Sequence, residues 1–437
     1  MENNIKHDLI KHDPTKLVTA VIVGAGHRSI LYGSYGFDHP DELKVVGLVE
    51  PNELRRAQTA EIFSIPKENC FETVEELVAR PRFADAAING TMDHIHVETS
   101  LPLLEAGYHL LLEKPISTNE EDMMKLLETA RRTQRKVMIC HVLRYAPFYV
   151  EIRRRILDGE LGEIINIQSS EHVSYHHMSV SHIRGKWNKT DGSQSSMLMA
   201  KCSHDLDILA WLKSGTAPIK VNSMGNLMQF REEKAPKGSG IRCLVDCEIE
   251  DQCLYSAKKL YLDHPERWSF YVWSHIEDNE NPSMEDKIHS LKTDNPHGRC
   301  VWRCDNNVVD HQSVVIEFDD GSTATHNMVG GSSKPGRHIH VIGTKGEILG
   351  SVDNGVLTLI HPDPRPGHEY TEENIDTSTA GASHGGGDMR MMEDFVKVIR
   401  NQASSISTTS LEDSIYGHLI GFKADDAMKQ GKVMVLR

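Results

Sequence analysis

The chain has 437 residues and a formal net charge of −15 at neutral pH, with 39% hydrophobic and 25% charged residues. These shares are ordinary for a globular protein with a sizeable core, and the length favours two domains or three. A chain this acidic repels a phosphate backbone and contains no long run of Lys or Arg, so we expect no nucleic-acid partner.

Targeting and membrane signals are not visible in the sequence. No apolar stretch approaches the roughly 20 residues that a membrane span requires. Residues 1–16 are polar and have no apolar signal core, so we expect a cytoplasmic protein without a membrane partner. The eight cysteines are then expected to be reduced thiols, since they do not form a disulfide scaffold.

A glycine-rich motif follows the first predicted strand. Residues 17–23 (LVTAVIV) are apolar and β-branched, as in a buried parallel strand. They lead into GAGHRS at 24–29, which is one residue away from the dinucleotide fingerprint. Gly24 permits the tight turn, Gly26 lets a pyrophosphate approach the backbone, and Ser29 is a small substitute for the third glycine.

An acidic residue at the end of the next strand supports the same interpretation. The predicted strand at 43–49 ends in Glu50. A carboxylate there accepts hydrogen bonds from the adenosine ribose and repels a 2′-phosphate. The predicted cofactor is therefore NAD, although Arg55 and Arg56 nearby leave NADP open.

Strand and helix patterns then alternate at short spacing. The predicted segments are strand 84–89, helix 96–106, strand 108–112, helix 119–133 and strand 136–140. This alternation predicts a Rossmann domain over residues 15–143, with a doubly wound parallel sheet. Ligands of such sheets bind beyond the carboxyl ends of the strands. One cleft is thus expected to collect Gly24, Glu50, Thr91 and Lys114.

At this point the sequence resembles the Gfo/Idh/MocA oxidoreductases, the family of glucose–fructose oxidoreductase and inositol dehydrogenase. The matching motifs follow the family's order: GAGHRS at 24–29, T-x-D-x-x-H at 91–96, EKP at 113–115, HVLRYAPFY at 141–149, LDGELGEI at 157–164 and HDLDILAWL at 204–212. The resemblance implies NAD(P) binding. The expected cofactor residues in these motifs are Gly24, Gly26, His27, Arg28, Ser29, Thr91, His96, Glu113 and Lys114, beside Glu50.

The resemblance also implies a second domain, expected over residues 144–437. This domain is of the α+β class, with a large, mostly antiparallel sheet whose open face often serves oligomerisation, so we expect a homo-oligomer (a dimer or tetramer). Strand patterns at 163–172, at 312–328 with an Asp-Asp-Gly turn, and at 338–348 agree with such a sheet. The polar segment at about 230–305 is predicted to be an insertion on the sheet.

Three residues are candidates for proton transfer: Lys114, His204 and Lys201. A lysine beside a nicotinamide and partly removed from water has a lowered pKa, which suits Lys114 to shuttling a proton. The family's catalytic histidine corresponds to His204, but its usual Asp partner four residues earlier is Ala200. Lys201 is predicted to share a helix face with His204 and to lower its pKa. Asp207 either orients the His204 imidazole or is a structural helix residue.

A stretch rich in donors and aromatic rings is the candidate substrate site. Residues 171–187 combine several histidines with an arginine and a tryptophan. Sugar hydroxyls need polar contacts, and an aromatic face covers the C–H side of the ring. The expected substrate residues are Arg144, Tyr145, His176, His177, Arg184, Trp187, Asp207 and His384. Arg144 serves a domain interface in the alternative interpretation.

Five cysteines lie in or near the predicted insertion: Cys243, Cys247, Cys253, Cys300 and Cys304. Their spacings are C-x3-C, C-x5-C and C-x3-C, whereas zinc ribbons prefer C-x2-C pairs. A structural zinc is one interpretation. Free buried thiols are favoured by the spacing, so no metal site is predicted.

Two chemistries fit these residues. The first is an NAD-dependent oxidoreductase that transfers hydride between a sugar ring hydroxyl and the nicotinamide while Lys114 and His204 move the proton. The second is a redox-neutral, NAD-dependent glycosidase: transient ring oxidation to a 3-keto intermediate, elimination, water addition and reduction. Ala200 and the many basic side chains motivate the second. The K-C-x-H-D sequence at 201–205 looks similar to bacterial branches of the family and does not indicate which carbohydrate or glycoside is the substrate. A nucleotide-sensing regulator is disfavoured by the presence of both proton-transfer residues.

Overall fold

The computed structural model describes residues 16–190, 194–264, 266–279, 281–379 and 383–436. Its strands are β1 (Val18–Val23), β2 (Leu43–Val49), β3 (Cys70–Phe71), β4 (Ala86–Asn89), β5 (His109–Leu112), β6 (Val137–Ile139), β7 (Ile164–Ser174), β8 (Pro218–Asn226), β9 (His311–Phe318), β10 (Thr323–Ser332), β11 (Gly336–Gly343), β12 (Glu347–Ser351), β13 (Val356–Pro362), β14 (Tyr370–Asp376) and β15 (Met434–Val435).

The α-helices are α1 (His27–Gly33), α2 (Tyr35–Asp38), α3 (Glu53–Ile62), α4 (Val74–Val78), α5 (His96–Glu105), α6 (Glu120–Thr133), α7 (Pro147–Leu157), α8 (Tyr175–His177), α9 (Met197–Leu212), α10 (Ala257–Tyr261), α11 (Ser269–Trp273), α12 (Met284–Lys292), α13 (Gly387–Ile399) and α14 (Leu411–Gln430). None of the described helices combines the length and the apolar character of a membrane-spanning segment.

The chain divides into two compact units that exchange short segments. The first unit comprises the described residues up to Glu113, Lys125–Cys140 and Gly387–Leu411. The second comprises Lys114–Met124, His141–Gly386 and the described residues from Glu412 onwards. The predicted division at residue 144 thus lies near the crossing after Cys140. Within the first unit, Gly387–Leu411 is bonded to β6: the N–H of Ile139 donates to the carbonyl of Thr409 at 2.9 Å.

The first unit contains a six-stranded parallel sheet in the order β3-β2-β1-β4-β5-β6. The residues of β4 are all buried, as are nearly all of those of β1 and β5. Continuous apolar strands are what a sheet covered on both faces requires. This order confirms the predicted Rossmann domain. The order reverses between β1 and β4, and ligands of doubly wound sheets bind at this switch point.

The second unit contains a nine-stranded sheet in the order β14-β13-β12-β11-β7-β10-β9-β8-β15. Each pair of neighbouring strands is antiparallel except β7 and β10. In β9, buried and more exposed residues alternate, so one face of the sheet contributes to a core that includes residues of α7 and α9. The predicted α+β class is confirmed.

A long segment separates β8 from β9, although these strands are neighbours in the sheet. It contains α10, α11 and α12, and it corresponds to the insertion predicted at about 230–305. The segment has a small core of its own, in which Cys243, Leu260, Tyr261 and Leu291 pack with Val180. Val180 belongs to the turn after β7, so the insertion is packed against the histidine-rich stretch that the sequence identified.

Candidate active site

The glycine turn after β1 has the geometry that a dinucleotide requires. Gly24 has a φ of +80°, and a Cβ there would lie 3.0 Å from the Thr91 backbone. At Gly26 an added Cβ would meet only the Gly90 carbonyl oxygen, at 3.7 Å, so the backbone before α1 is open to a close approach. Free N–H groups at this helix start are suitable donors for a pyrophosphate.

Ser29 explains why a non-glycine residue is accepted at the third position of the motif. Its side chain is buried, and a Cβ on Gly90 would come within 2.1 Å of its Oγ. Helix α1 and the end of β4 are therefore in close contact, as the sequence predicts. A side chain larger than serine would push the helix away from the sheet.

Glu50 is fixed beside the glycine turn. Its carboxylate is 3% exposed and accepts hydrogen bonds from the N–H of Ala25 at 2.8 Å and of Asn52 at 2.9 Å. The Arg55 guanidinium lies 4.0 Å away. Each carboxylate oxygen has a further lone pair for a ribose hydroxyl. The position and charge of Glu50 therefore fit the adenosine end of NAD.

Arg28 and Glu113 belong to a partly buried polar network in the first unit. The Arg28 guanidinium donates to the Glu113 carboxylate at 3.0 Å, to the Tyr32 hydroxyl and to the Asp388 carboxylate. Tyr32 in turn donates to Glu113 at 2.6 Å. Burial and the Arg28 charge lower the pKa of His27. The network holds α1 and α13 at the glycine turn, and a direct contact of its members with the cofactor stays a prediction.

The turn after β4 is organised by Asn89, which the sequence did not single out. Its amide donates at 2.9 Å to the hydroxyls of Thr99 and Ser100, and its oxygen accepts from the Thr91 hydroxyl at 2.9 Å. The His96 ring lies 3.0 Å from the Thr91 carbonyl and is 1% exposed. His96 thus positions Thr91, and a direct role of either residue at the cofactor stays a prediction.

In the second unit, Lys201 belongs to helix α9 and Lys114 contacts the same helix. The Lys114 amine donates to the Ala200 carbonyl at 2.6 Å. Ala200 is the residue found where the family resemblance leads us to expect an aspartate. The Lys201 amine forms an ion pair with Glu171 at 2.7 Å, and Glu171 also pairs with Arg337 at 2.9 Å. Neither Glu171 nor Arg337 was among the predicted site residues.

Two imidazoles near these lysines are held neutral. Burial, followed by the charge of Lys201, places the pKa of His177 well below its ordinary value. Burial, Lys201 and Lys114 lower the pKa of His182 to about 3. The two rings are 5.8 Å apart, and the indole of Trp268 stacks on His177 at 4.2 Å. Lysine amines, neutral imidazoles and an aromatic face are therefore assembled in one place.

His204 lies next to a second buried histidine. Its ring lies 5.6 Å from that of His141, whose Nε2 is 3.6 Å from the Asp207 carboxylate. Asp207 itself accepts two hydrogen bonds from the Arg144 guanidinium, at 2.7 and 2.6 Å. Arg144 and Asp207 are 1% and 0% exposed. They form a buried ion pair, which favours the structural alternative, and their contact with substrate stays a prediction. Tyr145 is also buried.

His176 and Arg184 are likewise structural in this fold. The His176 ring is buried and lies 3.0 Å from the Leu260 carbonyl. The Arg184 guanidinium donates to the carbonyls of Arg299 and Tyr255 and to the Tyr261 hydroxyl. Both side chains are enclosed by the insertion, so their contact with substrate stays a prediction that their burial does not favour.

Trp187 and Trp268 form the aromatic part of the site. Trp187 is half-buried, 6.2 Å from the His182 ring and edge-on to Tyr271 at 5.7 Å. Trp268 comes from the insertion, and only the tertiary structure brings it to His177. The side chain of His384 lies outside the described residues, so its predicted role stays a prediction.

His418 connects α14 to the loop that carries Lys114, and it should make stability depend on pH. Its Nε2 accepts from the N–H of Ile116 at 2.9 Å. Burial, then the charge of His141, lowers the pKa of His418 to about 3 from 6.5. Because the unfolded state binds the proton more tightly, this contribution is complete above pH 6.5 and is lost as the pH falls toward 3.

Urea unfolding at a series of pH values tests this expectation. In His418→Gln the amide oxygen still accepts from Ile116 but does not titrate. The loss of unfolding free energy between about pH 7 and about pH 5 should be smaller than in the parent by on the order of 2 kcal/mol. The exposed His94→Gln variant should follow the parent. Parallel pH profiles for His418→Gln and the parent would contradict the assignment.

Comparison with known proteins agrees with this geometry. The sequence profile described as "Oxidoreductase family, NAD-binding Rossmann fold" matches residues 18–141, and that of the family's "C-terminal alpha/beta domain" matches residues 153–435. Among curated proteins, the chain is 22% identical over 368 residues to YteT of Bacillus subtilis, which is described as an oxidoreductase. That alignment covers 80% of this chain and 82% of the relative.

A second relative and a solved structure extend the comparison. Inositol 2-dehydrogenase of Corynebacterium glutamicum is 24% identical over 250 residues, covering 55% of this chain and 66% of the relative. The structure of a levoglucosan dehydrogenase in complex with NADH shares the fold, with a TM-score of 0.69 and 14% identity over 96% of this chain and 99% of that one. The profile matches cover both units and bear out the resemblance seen in the motifs. The chain belongs to the Gfo/Idh/MocA family of oxidoreductases, and its first unit is an NAD-binding Rossmann domain.

Proposed function

We propose that this protein is an NAD-dependent dehydrogenase that acts on a ring hydroxyl of a sugar, a cyclitol or a sugar derivative. The observation that carries the proposal is the group of Lys114, His177 and His182 beside the Trp268 indole. An amine for proton transfer, an accessible uncharged imidazole for hydroxyls and an aromatic face are the groups that a carbinol on a hydrophilic ring requires.

Each group has a distinct role in this proposal. The Lys114 amine, held by the Ala200 carbonyl, exchanges the proton of the reacting hydroxyl. Neutral His177, which is partly exposed, offers one donor and one acceptor to neighbouring hydroxyls. The His182 ring is 2% exposed and bonded to the Trp187 backbone, so it supports His177 from the buried side. Trp268 covers the C–H side of the ring. NAD, when bound, supplies the hydride acceptor. His204, next to His141, is proposed as a second proton-transfer group.

Lys201 has a supporting role that differs from the expected one. Its amine is paired with Glu171, and its charge helps to hold both His177 and His182 neutral. We therefore propose that Lys201 tunes these imidazoles rather than His204. The names of two relatives, an inositol dehydrogenase and a levoglucosan dehydrogenase, are consistent with a cyclic polyol or anhydrosugar as substrate.

The test is a substrate panel of free sugars, cyclitols, sugar acids and aryl glycosides with purified protein and NAD. NADH that accumulates in proportion to substrate would support the dehydrogenase and identify its substrate class. Aglycone release that needs NAD only in catalytic amounts would instead support the redox-neutral glycosidase. Tight NAD binding without turnover of any member would contradict both and favour a sensor.

The preference for NAD over NADP is part of the proposal and depends on Glu50. Because its buried carboxylate lies at the end of β2, we expect NADPH to bind at least about tenfold more weakly than NADH, a penalty of about 1.4 kcal/mol. Fluorescence titration with both cofactors measures this ratio. Glu50→Gln retains the hydrogen-bond acceptor for Ala25 but removes the charge. The ratio of the NADPH to the NADH dissociation constant should therefore approach unity in this variant.

Glu53→Gln is a matched control, because Glu53 lies on the first turn of α3 and its side chain is exposed to solvent. It should leave the NADH-to-NADPH ratio unchanged. A parent protein that prefers NADPH would refute the interpretation of Glu50.

A homo-oligomer, either a dimer or a tetramer, also stays a proposal. The face of the nine-stranded sheet opposite its core exposes large apolar side chains, which include Ile165, Met224, Val315 and Val329. Such a patch on a sheet face is typical of an interface. The cytoplasmic location remains a prediction from the sequence.

A further inference from the structure

The inserted segment brings distant cysteines together. A small cavity beside Arg184 is lined by Cys243, Cys247, Cys253 and Cys300. These residues span 58 positions of sequence, and all four thiols are free rather than joined in disulfides. Cys304, which follows the last of them, does not line the cavity. Four thiols from separate parts of the segment therefore lie around one cavity, whereas buried cysteines in protein cores usually occur singly.

The backbone fixes this arrangement. Residues 241–243 and 298–300 run side by side: the N–H of Cys243 donates to the Gly298 carbonyl at 2.9 Å, and the N–H of Cys300 donates to the Ile241 carbonyl at 2.8 Å. Cys243 and Cys300 are therefore on neighbouring extended segments. Cys247 and Cys253 lie on the turns that follow the first segment.

Two backbone N–H groups are directed at sulfur atoms. The N–H of Tyr255 donates to the Cys253 sulfur at 3.3 Å, and the N–H of Trp302 donates to the Cys300 sulfur. In both cases the donor is two residues after the cysteine. Burial raises the pKa of both free thiols, but backbone N–H groups in these positions fix the orientation of a sulfur atom, as the groups around a metal ligand do.

A buried cation next to these sulfurs has no carboxylate partner within the part of the chain that the structure describes. The Arg184 side chain is 3% exposed, and its guanidinium donates to the Cys243 sulfur at 3.4 Å. Its other partners are the neutral oxygens of Arg299, Tyr255 and Tyr261. Burying an unpaired charge is costly. Thiolates bound to a metal carry net negative charge and would neutralise it.

The spacing of the sulfur atoms indicates which kind of metal centre fits. A single zinc with four bonds of about 2.3 Å holds its sulfurs about 3.8 Å apart. Among the described residues, the set of three or more potential ligands whose atoms all lie within 4.8 Å of one another is Cys202, Asp205 and His326. The four cavity cysteines are spread more widely than that. An iron–sulfur cluster binds each thiolate to a different iron atom and so accepts wider spacing.

We propose that Cys243, Cys247, Cys253 and Cys300 bind a thiolate-ligated metal centre, and that this centre is a [4Fe–4S] cluster. It would tie the insertion to Arg184 and hence to the turn that carries His177 and His182. The spacing of the cysteines in the sequence favoured free thiols, and only their convergence in space indicates a metal. The proposal does not depend on the proposed dehydrogenase activity, since its readout is metal content.

The test is metal and sulfide analysis of the full-length protein purified without oxygen. We expect about four iron and about four acid-labile sulfide per chain, with broad visible absorption. Cys247→Ser, the least buried of the four ligands alongside Cys253, should lose most of the iron, whereas the matched control Cys304→Ser should retain it. Circular dichroism shows that each variant is folded.

Each outcome of this experiment is decisive. One zinc per chain, lost in Cys247→Ser and kept in Cys304→Ser, would support the thiolate site and overturn the cluster. Iron that is retained in Cys247→Ser would overturn the assignment of the ligands. A protein that contains neither metal would overturn the site. In that case the four thiols should react with a thiol reagent after unfolding, and a chelator should not change their reactivity.

Discussion

Replacement of Lys114 with methionine should reduce kcat by about 10²- to 10⁴-fold, the range over which a positioned acid–base group accelerates a reaction. Methionine preserves the length of the side chain but cannot exchange a proton or donate to the Ala200 carbonyl. Lys114→Arg should show a similar fall, because a guanidinium keeps the charge but does not release its proton near neutral pH. The two variants together separate proton transfer from simple charge.

The measurement is steady-state kinetics on the substrate that the panel identifies, combined with titration of NADH. Gly24, Gly26 and Glu50 are unchanged in both variants, so NADH binding should weaken far less than kcat falls, by at most about tenfold (about 1.4 kcal/mol) for the predicted cofactor contact of Lys114 itself. Lys258→Met, at a lysine whose side chain is 55% exposed, controls for loss of a positive charge. Turnover by Lys114→Arg within tenfold of the parent would show that charge alone suffices.

Arg144→Met should lower the free energy of unfolding by about 3–5 kcal/mol, since it leaves the carboxylate of Asp207 buried without its partner. Asp207 is 0% exposed and accepts both short hydrogen bonds of the guanidinium. The double variant Arg144→Met/Asp207→Asn should recover part of this loss, because the neutral amide is less costly to bury than the charge.

Urea unfolding of the second unit, followed by tryptophan fluorescence, measures these differences. Arg154→Met is the matched control. Its guanidinium also contacts carboxylates, those of Glu151 and Asp158, but is 49% exposed, and exposed pairs contribute under about 1 kcal/mol. Equal losses for Arg144→Met and Arg154→Met would contradict the structural role assigned to the buried pair.

Most of the first unit was predictable because its information is local. A few consecutive residues are enough to identify a buried apolar strand, the glycine turn at Gly24 or the acidic residue Glu50 at a strand end. The predicted strand at 43–49 coincides with β2, and the predicted helix at 96–106 with α5 to within one residue. The short strand β3 and helices α3 and α4 were not predicted, since two to ten residues of mixed polarity carry little periodic signal.

The candidate substrate site was predicted only in outline. The stretch 171–187 was singled out as dense in polar and aromatic groups, and it contains His177, whose contact with substrate stays a prediction. Its sequence did not distinguish His177 from His176, His182 and Arg184, which are only 2–3% exposed. One or two positions along a turn decide whether a side chain faces the core or the site, and composition is the same in both cases.

The sequence by itself determined the family, the Rossmann fold, the NAD-binding turn and the candidate proton-transfer residues, because these depend on short motifs in a fixed order. The tertiary structure alone decided the partners of the charged residues. It paired Arg144 with Asp207 and Lys201 with Glu171, and it gathered four cysteines around one cavity. Burial makes an unpaired charge or polar group costly, so each must find a partner, and that partner is selected by distance in space rather than by distance along the chain.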